Sequence, residues 1–212
     1  MTNFDTPCFI EFANEYALGN KRTLIIPDFL RVTKRKQSTQ GNSLTILNSM
    51  TEEGWIGTLP LGQKIVKPIV ANLITAVTKE ELSDRRHKWS QMGFMSRLIP
   101  LSFSYNAETK IMIKNYIMDR VYHTDKSFDF ELPKEKVDIV LPKELAREID
   151  KISVGILINL KEQNLTGFRL LRQLQVLAMA NALSSGRNMV TENDIETIKQ
   201  ITKFINFTFE EV

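Results

Sequence analysis

The chain has one cysteine, Cys8, so no internal disulfide can form and a reducing compartment is the expected setting. Its two histidines, His87 and His123, are too few and too isolated to build a metal cluster. No apolar run approaches the roughly 20 residues needed to cross a bilayer. The polar opening Met1-Thr2-Asn3-Phe4-Asp5 does not read as a signal peptide. A cytoplasmic protein without a membrane partner is therefore expected. Neither sign of charge dominates: 28 Lys+Arg against 25 Asp+Glu give a net charge of +3, which permits contact with nucleic acid without arguing for it. No Gly-x-x-x-x-Gly-Lys-(Ser/Thr) occurs, so the chain has no amide cradle and lysine for a row of phosphates. Internal repeats and low-complexity tracts are also missing.

The 212 residues are 42% hydrophobic and 25% charged, an ordinary globular composition able to bury a core. That length allows one large domain, or a core with a smaller lid. Pro7-Cys8-Phe9-Ile10-Glu11-Phe12 fits a strand, and Glu11 to Leu18 fits a short helix equally well. Thr23 to Phe29 has the length and β-branching of a buried parallel strand, with Asp28 just past its C-terminal end. In open α/β sheets ligand-handling residues emerge from that edge, and a carboxylate there can bind Mg²⁺ directly or through water. The plainer reading of Asp28 is a turn or helix cap.

Arg31, Lys34, Arg35 and Lys36 place four positive charges within six residues, followed by Gln37 to Asn42, which reads as a polar loop. Such a run is either a solvated loop or a contact to a DNA phosphate backbone. From Ser43 the spacing of Leu44, Leu47 and Met50 predicts a helix closed by Gly54. Trp55 to Val66 reads as a small hairpin or loop, and Pro68 to Thr78 as a second buried strand ending in Thr78. Lys79 to Met92 is charged and helical.

The chain is organised around Gly93-Phe94-Met95-Ser96-Arg97-Leu98-Ile99-Pro100. A glycine breaks the helix, and Leu98 to Phe103 reads as a short strand entering a core. An arginine held between them is fixed at its Cα while its planar, permanently charged guanidinium reaches outward, which suits phosphate oxygens. An arginine paired with a carboxylate is the simpler alternative. Arg85 and Arg86 share the segment, and Arg97 is preferred for its place against the core strand.

Glu108 to Val121 reads as a helix, and from Leu141 onward the chain is helical. Leu145, Ile149, Ile152, Ile156 and Leu160 recur at helical spacing. Leu170, Leu174, Leu177 and Asn181 do the same, with Ala178 and Ala182 allowing close approach. Gly186 ends that helix, and Thr191-Glu192-Asn193-Asp194 has the spacing of a capping box opening the last one.

The order of these pieces resembles the C-terminal two-thirds of an AAA+ ATPase, most closely the MoxR and magnesium-chelatase branch, over residues 21–205. The resemblance rests on a strand ending in Asp28, a helix ending in Met50-Thr51-Glu52-Glu53, a strand ending in Thr78, and Gly93-Phe94-Met95-Ser96-Arg97-Leu98. It continues in Thr166-Gly167-Phe168-Arg169 and in Gly186-Arg187-Asn188-Met189-Val190-Thr191-Glu192-Asn193-Asp194-Ile195. It implies a partial three-layer P-loop NTPase-like core over residues 1–104 and an all-helical lid over 105–212. By that resemblance Asp28 coordinates Mg²⁺, and Thr78 is the polar sensor near the γ-phosphate. Arg97 is a trans-acting arginine finger, and Arg169 is the lid arginine closing on ATP. Charge spreading over phosphoryl oxygens is what metal and guanidinium would stabilise. The implied protein is an oligomeric machine acting on DNA or protein, helicase-like and of phage or mobile-element type. The alternatives are a non-catalytic DNA- or protein-interaction module that retains the fold, and an unrelated α/β-plus-helical domain.

The departures from the family pattern are specific. Phe29 stands where the family has its water-activating glutamate, Thr78 replaces the commoner asparagine, and the phosphate loop is missing. Hydrolysis is expected only where that loop comes from elsewhere. In the resembled fold the strand before the phosphate loop separates the sensor strand from the strand after the arginine finger. Without it those two would stand ~9.6 Å apart, with backbone groups left unsatisfied. Either a missing N-terminal portion or another polypeptide is the expected partner supplying that strand, or the chain pairs differently.

Overall fold

A computed structural model describes residues 6–17, 22–33, 37–58, 64–65, 67–119, 133, 135–158 and 167–207. The protein is α/β and mostly helical, with a two-stranded parallel sheet among the described residues. The chain divides into two compact units, Met1–Leu98 and Ile99–Val212. Pro100 and Ser102 belong with the second unit because their backbones bond there: Asn206 N–H to the Pro100 carbonyl at 3.1 Å and Ser102 N–H to the Phe204 carbonyl at 2.9 Å. No helix among the described residues is long and apolar enough to cross a membrane.

In the first unit α1 (Thr6–Ala17) precedes β1 (Thr23–Ile26), α2 (Leu30–Thr33), α3 (Gln37–Thr51), β2 (Asn72–Thr75) and α4 (Lys79–Gln91). A 3₁₀ turn over Met95–Arg97 closes it. β1 and β2 run parallel in the register Thr23↔Asn72, Leu24↔Leu73, Ile25↔Ile74, Ile26↔Thr75. Both strands are shorter than their apolar runs. Pro27 has no N–H to donate and ends β1, while Ala71 turns its N–H to the Met50 carbonyl at 2.9 Å before β2 begins.

Leu24 and Ile26 point into a core with Phe12, Phe29, Val32, Leu44, Leu47, Met50, Trp89 and Phe94, whereas Ile25 and Ile74 are exposed. Helices therefore cover one face of the sheet among the described residues, and the expected third layer is not among them.

Three local expectations are corrected. Of the two readings of the opening the helix is the one that forms, but from Thr6 rather than Glu11, so Pro7 to Phe12 lies in α1, where Phe12 and Ala13 are buried. Gln37 to Asn42 is the first part of α3 rather than a loop. Burial of Leu44, Leu47 and Met50 stabilises the helix and outweighs the weak propensity of its polar start. The expected core strand over Leu98 to Phe103 does not form: Leu101 makes an isolated antiparallel bridge to Ile205, and Leu101 and Phe103 are exposed. Pro100, lacking an N–H, is a poor member of any ladder. The hairpin after Gly54 agrees with antiparallel bridges Trp55↔Ile69 and Thr58↔Lys64. Gly54 sits at φ 90°, with Pro68 Cβ only 2.6 Å from where its own Cβ would be.

The second unit holds α5 (Ala107–Met118), α6 (Lys143–Ile158), α7 (Gly167–Ser184) and α8 (Glu192–Thr202). The last three pack around Ile149, Leu170, Leu174, Ala178, Ala182, Val190, Ile195 and Ile198. Ala178 and Ala182 are fully buried, so the small side chains bring helices together as their spacing predicts. α5 buries no residue among those described.

Candidate functional site

The parallel pairing brings the ends of β1 and β2 to one edge of the sheet. Phe29 N–H bonds the Ala76 carbonyl at 2.9 Å across that edge, so Asp28 and Thr78 leave it on adjacent loops. Each side chain already has a local task. Asp28 Oδ1 accepts from Leu30 N–H at 3.0 Å and caps the short α2. Thr78 is the N-cap of α4, its Oγ1 accepting a long bond from Glu81 N–H at 3.4 Å. Among the described residues no group of three His, Cys, Asp or Glu side chains is placed to hold a metal. A Mg²⁺ at Asp28 would need water and phosphate oxygens for its remaining ligands.

Arg97 is tied to the same region through an aromatic triad. Phe29, next to Asp28, stacks on Phe94 with centroids 5.1 Å apart and planes 2° from parallel. Trp89 of α4 meets both rings edge-on, at 5.3 Å to Phe29 and 5.9 Å to Phe94. All three are about 1% exposed, so the loop bearing Asp28 and the turn bearing Arg97 are anchored in one rigid cluster.

The guanidinium turns back rather than outward. Arg97 Nη1 donates to the Gly93 carbonyl at 2.7 Å, and Nη2 pairs with Glu52 Oε2 at 2.8 Å. Gly93 makes this possible: its φ is +71°, and a Cβ there would lie 2.7 Å from Arg97 Nη1. Glu52, quoted in the sequence only as part of Met50-Thr51-Glu52-Glu53, is thus the partner that sequence reasoning missed. Nearby, Arg85 Nε pairs with Glu81 along α4.

Arg169 stands on the first turn of α7 in the second unit, on an exposed position beside Phe168, which is 90% exposed. Thr166 lies outside the described residues. Of the basic run, Arg31 falls on α2, and Lys34, Arg35 and Lys36 lie outside the described residues.

The segment following Gly186 has a structural explanation of its own. Asp194, fully buried, receives Arg187 Nη1 and Nη2 on its two oxygens, each at 2.7 Å. It also accepts from Thr191 N–H at 2.8 Å and from Asn181 Nδ2 at 2.7 Å. The capping box is present as its spacing predicts. Arg187 first, then the Thr191 and Asn181 donors, hold the Asp194 carboxyl well below the usual carboxylate range against the opposing effect of burial. The available sequence signal was Asn181, a polar residue on an otherwise apolar helical stripe.

No protein-family model matches this chain, and no curated relative matches it either.

Proposed function

We propose that this chain is the C-terminal portion of an AAA+-like ATPase, supplying Asp28, Thr78, Arg97 and Arg169 to a nucleotide site completed by a polypeptide that carries the phosphate loop. The observation that carries the reading is the parallel register of β1 and β2, with Asp28 and Thr78 on adjacent loops at the C-terminal edge. That is where ligand-handling residues of such sheets emerge. The aromatic triad anchors the Arg97 turn beside the Asp28 loop. Asp28 fits the metal side of a Mg-ATP complex, while the chain has no cradle for the phosphates. The target of the machine is DNA or protein, in a helicase-like role.

A specific observation favours a second reading, a non-catalytic interaction module that retains the fold. Asp28 and Thr78 act as helix caps, and Arg97 is held by Glu52. Calorimetry separates the two readings. The 212-residue chain alone should not bind Mg-ATP at micromolar concentrations, because a lid contact such as Arg169 contributes only about 1.5–3 kcal/mol. Supplied with a phosphate-loop segment, the assembly should bind it. Arg169→Ala should then weaken binding, and Arg97→Ala should spare binding and slow hydrolysis, since a trans arginine acts mainly in the transition state. An assembly that binds no nucleotide leaves the interaction module as the reading.

A further inference from the structure

We infer that Glu52 and the Gly93 carbonyl park Arg97, and that an incoming phosphate oxygen releases it, so that the arginine is held back until a nucleotide is presented. The identity of the releasing group depends on the ATPase reading; the parking itself does not. An arginine that reaches a neighbouring subunit's nucleotide must project from the surface. The Arg97 side chain is only 16% exposed, with Nη2 at 2.8 Å from Glu52 Oε2 and Nη1 at 2.7 Å from the Gly93 carbonyl. A change of rotamer therefore has to precede any contact in trans.

The surroundings confine that change to the side chain. Phe94 is locked between Phe29 and Trp89, Met95 and Ser96 are buried, and Gly93 holds its φ of 71°. The backbone leading to Arg97 is thus fixed by packing, and only the long side chain and the Glu52 carboxylate are left to move. Glu52 follows directly on the last residue of α3, so the negative end of that helix adds to its pull on the guanidinium.

Both ends of the tie can be given up without orphaning a polar group. Ser96 Oγ donates to the same Gly93 carbonyl at 2.9 Å, so that oxygen keeps a donor when Arg97 Nη1 leaves. The Glu52 side chain is 27% exposed, and water can take up its carboxylate. A partly exposed pair of this kind favours its bound form by a factor of about five at most. That is enough to keep Arg97 mostly parked at rest. It is too little to resist a phosphate, which carries more charge than one carboxylate and offers a guanidinium the same two-pronged geometry.

Arginine-directed modification reads the parking in the 212-residue chain as it stands. With phenylglyoxal and mass spectrometry, Arg97 should react several-fold more slowly than Arg172, which is exposed on α7. Glu52→Gln should raise the rate at Arg97 about two- to five-fold and leave Arg172 unchanged. Added salt should speed Arg97 in the original chain and not in Glu52→Gln. That difference separates a released tie from a loosened turn, which would react faster at any salt. In the assembly with a phosphate-loop segment, Glu52→Gln should speed hydrolysis up to about five-fold at unchanged Mg-ATP affinity. Equal reactivity of Arg97 and Arg172 in the original chain, an unchanged Arg97 rate in Glu52→Gln, or unchanged hydrolysis in an assembly that binds Mg-ATP would overturn the inference. An assembly that binds no Mg-ATP, with the Arg97 rates as expected, overturns the ATPase reading instead and with it the phosphate as the releasing group.

Discussion

Arg187 grips the buried carboxylate of Asp194 through both terminal nitrogens, each bond 2.7 Å long, and so joins the end of α7 to the start of α8. Asp194→Ala should destabilise the chain by about 2–3 kcal/mol, since it removes a helix cap and leaves the Thr191 and Asn181 donors without their acceptor. Far-UV dichroism in a denaturant titration measures this. The pH dependence follows from the depressed folded-state value of Asp194. Its stabilisation is fully present above the unfolded carboxylate value, about 4, and is lost as pH falls through that value toward the lower folded one. Arg187→Ala removes the main cause of the depression, so the acid unfolding midpoint should move upward. An unchanged midpoint would show that the pair does not couple to folding.

Gly93→Ala should destabilise the first unit by about 1–2 kcal/mol, because an L side chain at φ +71° is strained in the left-handed region. The new methyl would also push on Arg97 Nη1. Glu52→Gln, which keeps the shape of the pair and removes its charge, should cost no more than about 1 kcal/mol for so partly exposed a bridge. A Gly93→Ala chain as stable as the original would exclude strain at this turn.

Phe94→Ala should cost about 3–5 kcal/mol, the usual range for emptying an aromatic site in a core. Trp89→Phe should cost much less. Among the described residues the buried Trp89 Nε1 has no hydrogen-bond partner, so the substitution sheds a donor that costs energy to bury. Thermal unfolding of both variants checks the order. Equal losses would mean that the indole nitrogen is satisfied by water.

Contact between the basic run Arg31, Lys34, Arg35 and Lys36 and DNA has a direct test. If they contact phosphates, affinity should fall steeply with salt, and neutralising all of them should flatten the slope of log affinity against log salt. The same slope in the neutralised chain would leave the run as an ordinary solvated segment.

The sequence by itself determined the elements whose stabilisation is local or periodic. Leu44, Leu47 and Met50 marked a helix face, and Thr191 with Asp194 marked a cap. Ala178 and Ala182 marked a close helix contact, because helical spacing and capping chemistry act within a few residues. Asp28 and Thr78 were legible as strand-end residues for the same reason. The tertiary structure decided which partners those residues meet. Only folding placed Glu52 against Arg97, 45 positions away in the chain. Folding also stacked Phe29 on Phe94 and set Ile25 opposite Ile74 on an open face. A guanidinium's partner depends on which carboxylate the fold carries to it, and a strand's exposure on what covers its two faces. Neither quantity is encoded in the spacing of neighbouring residues.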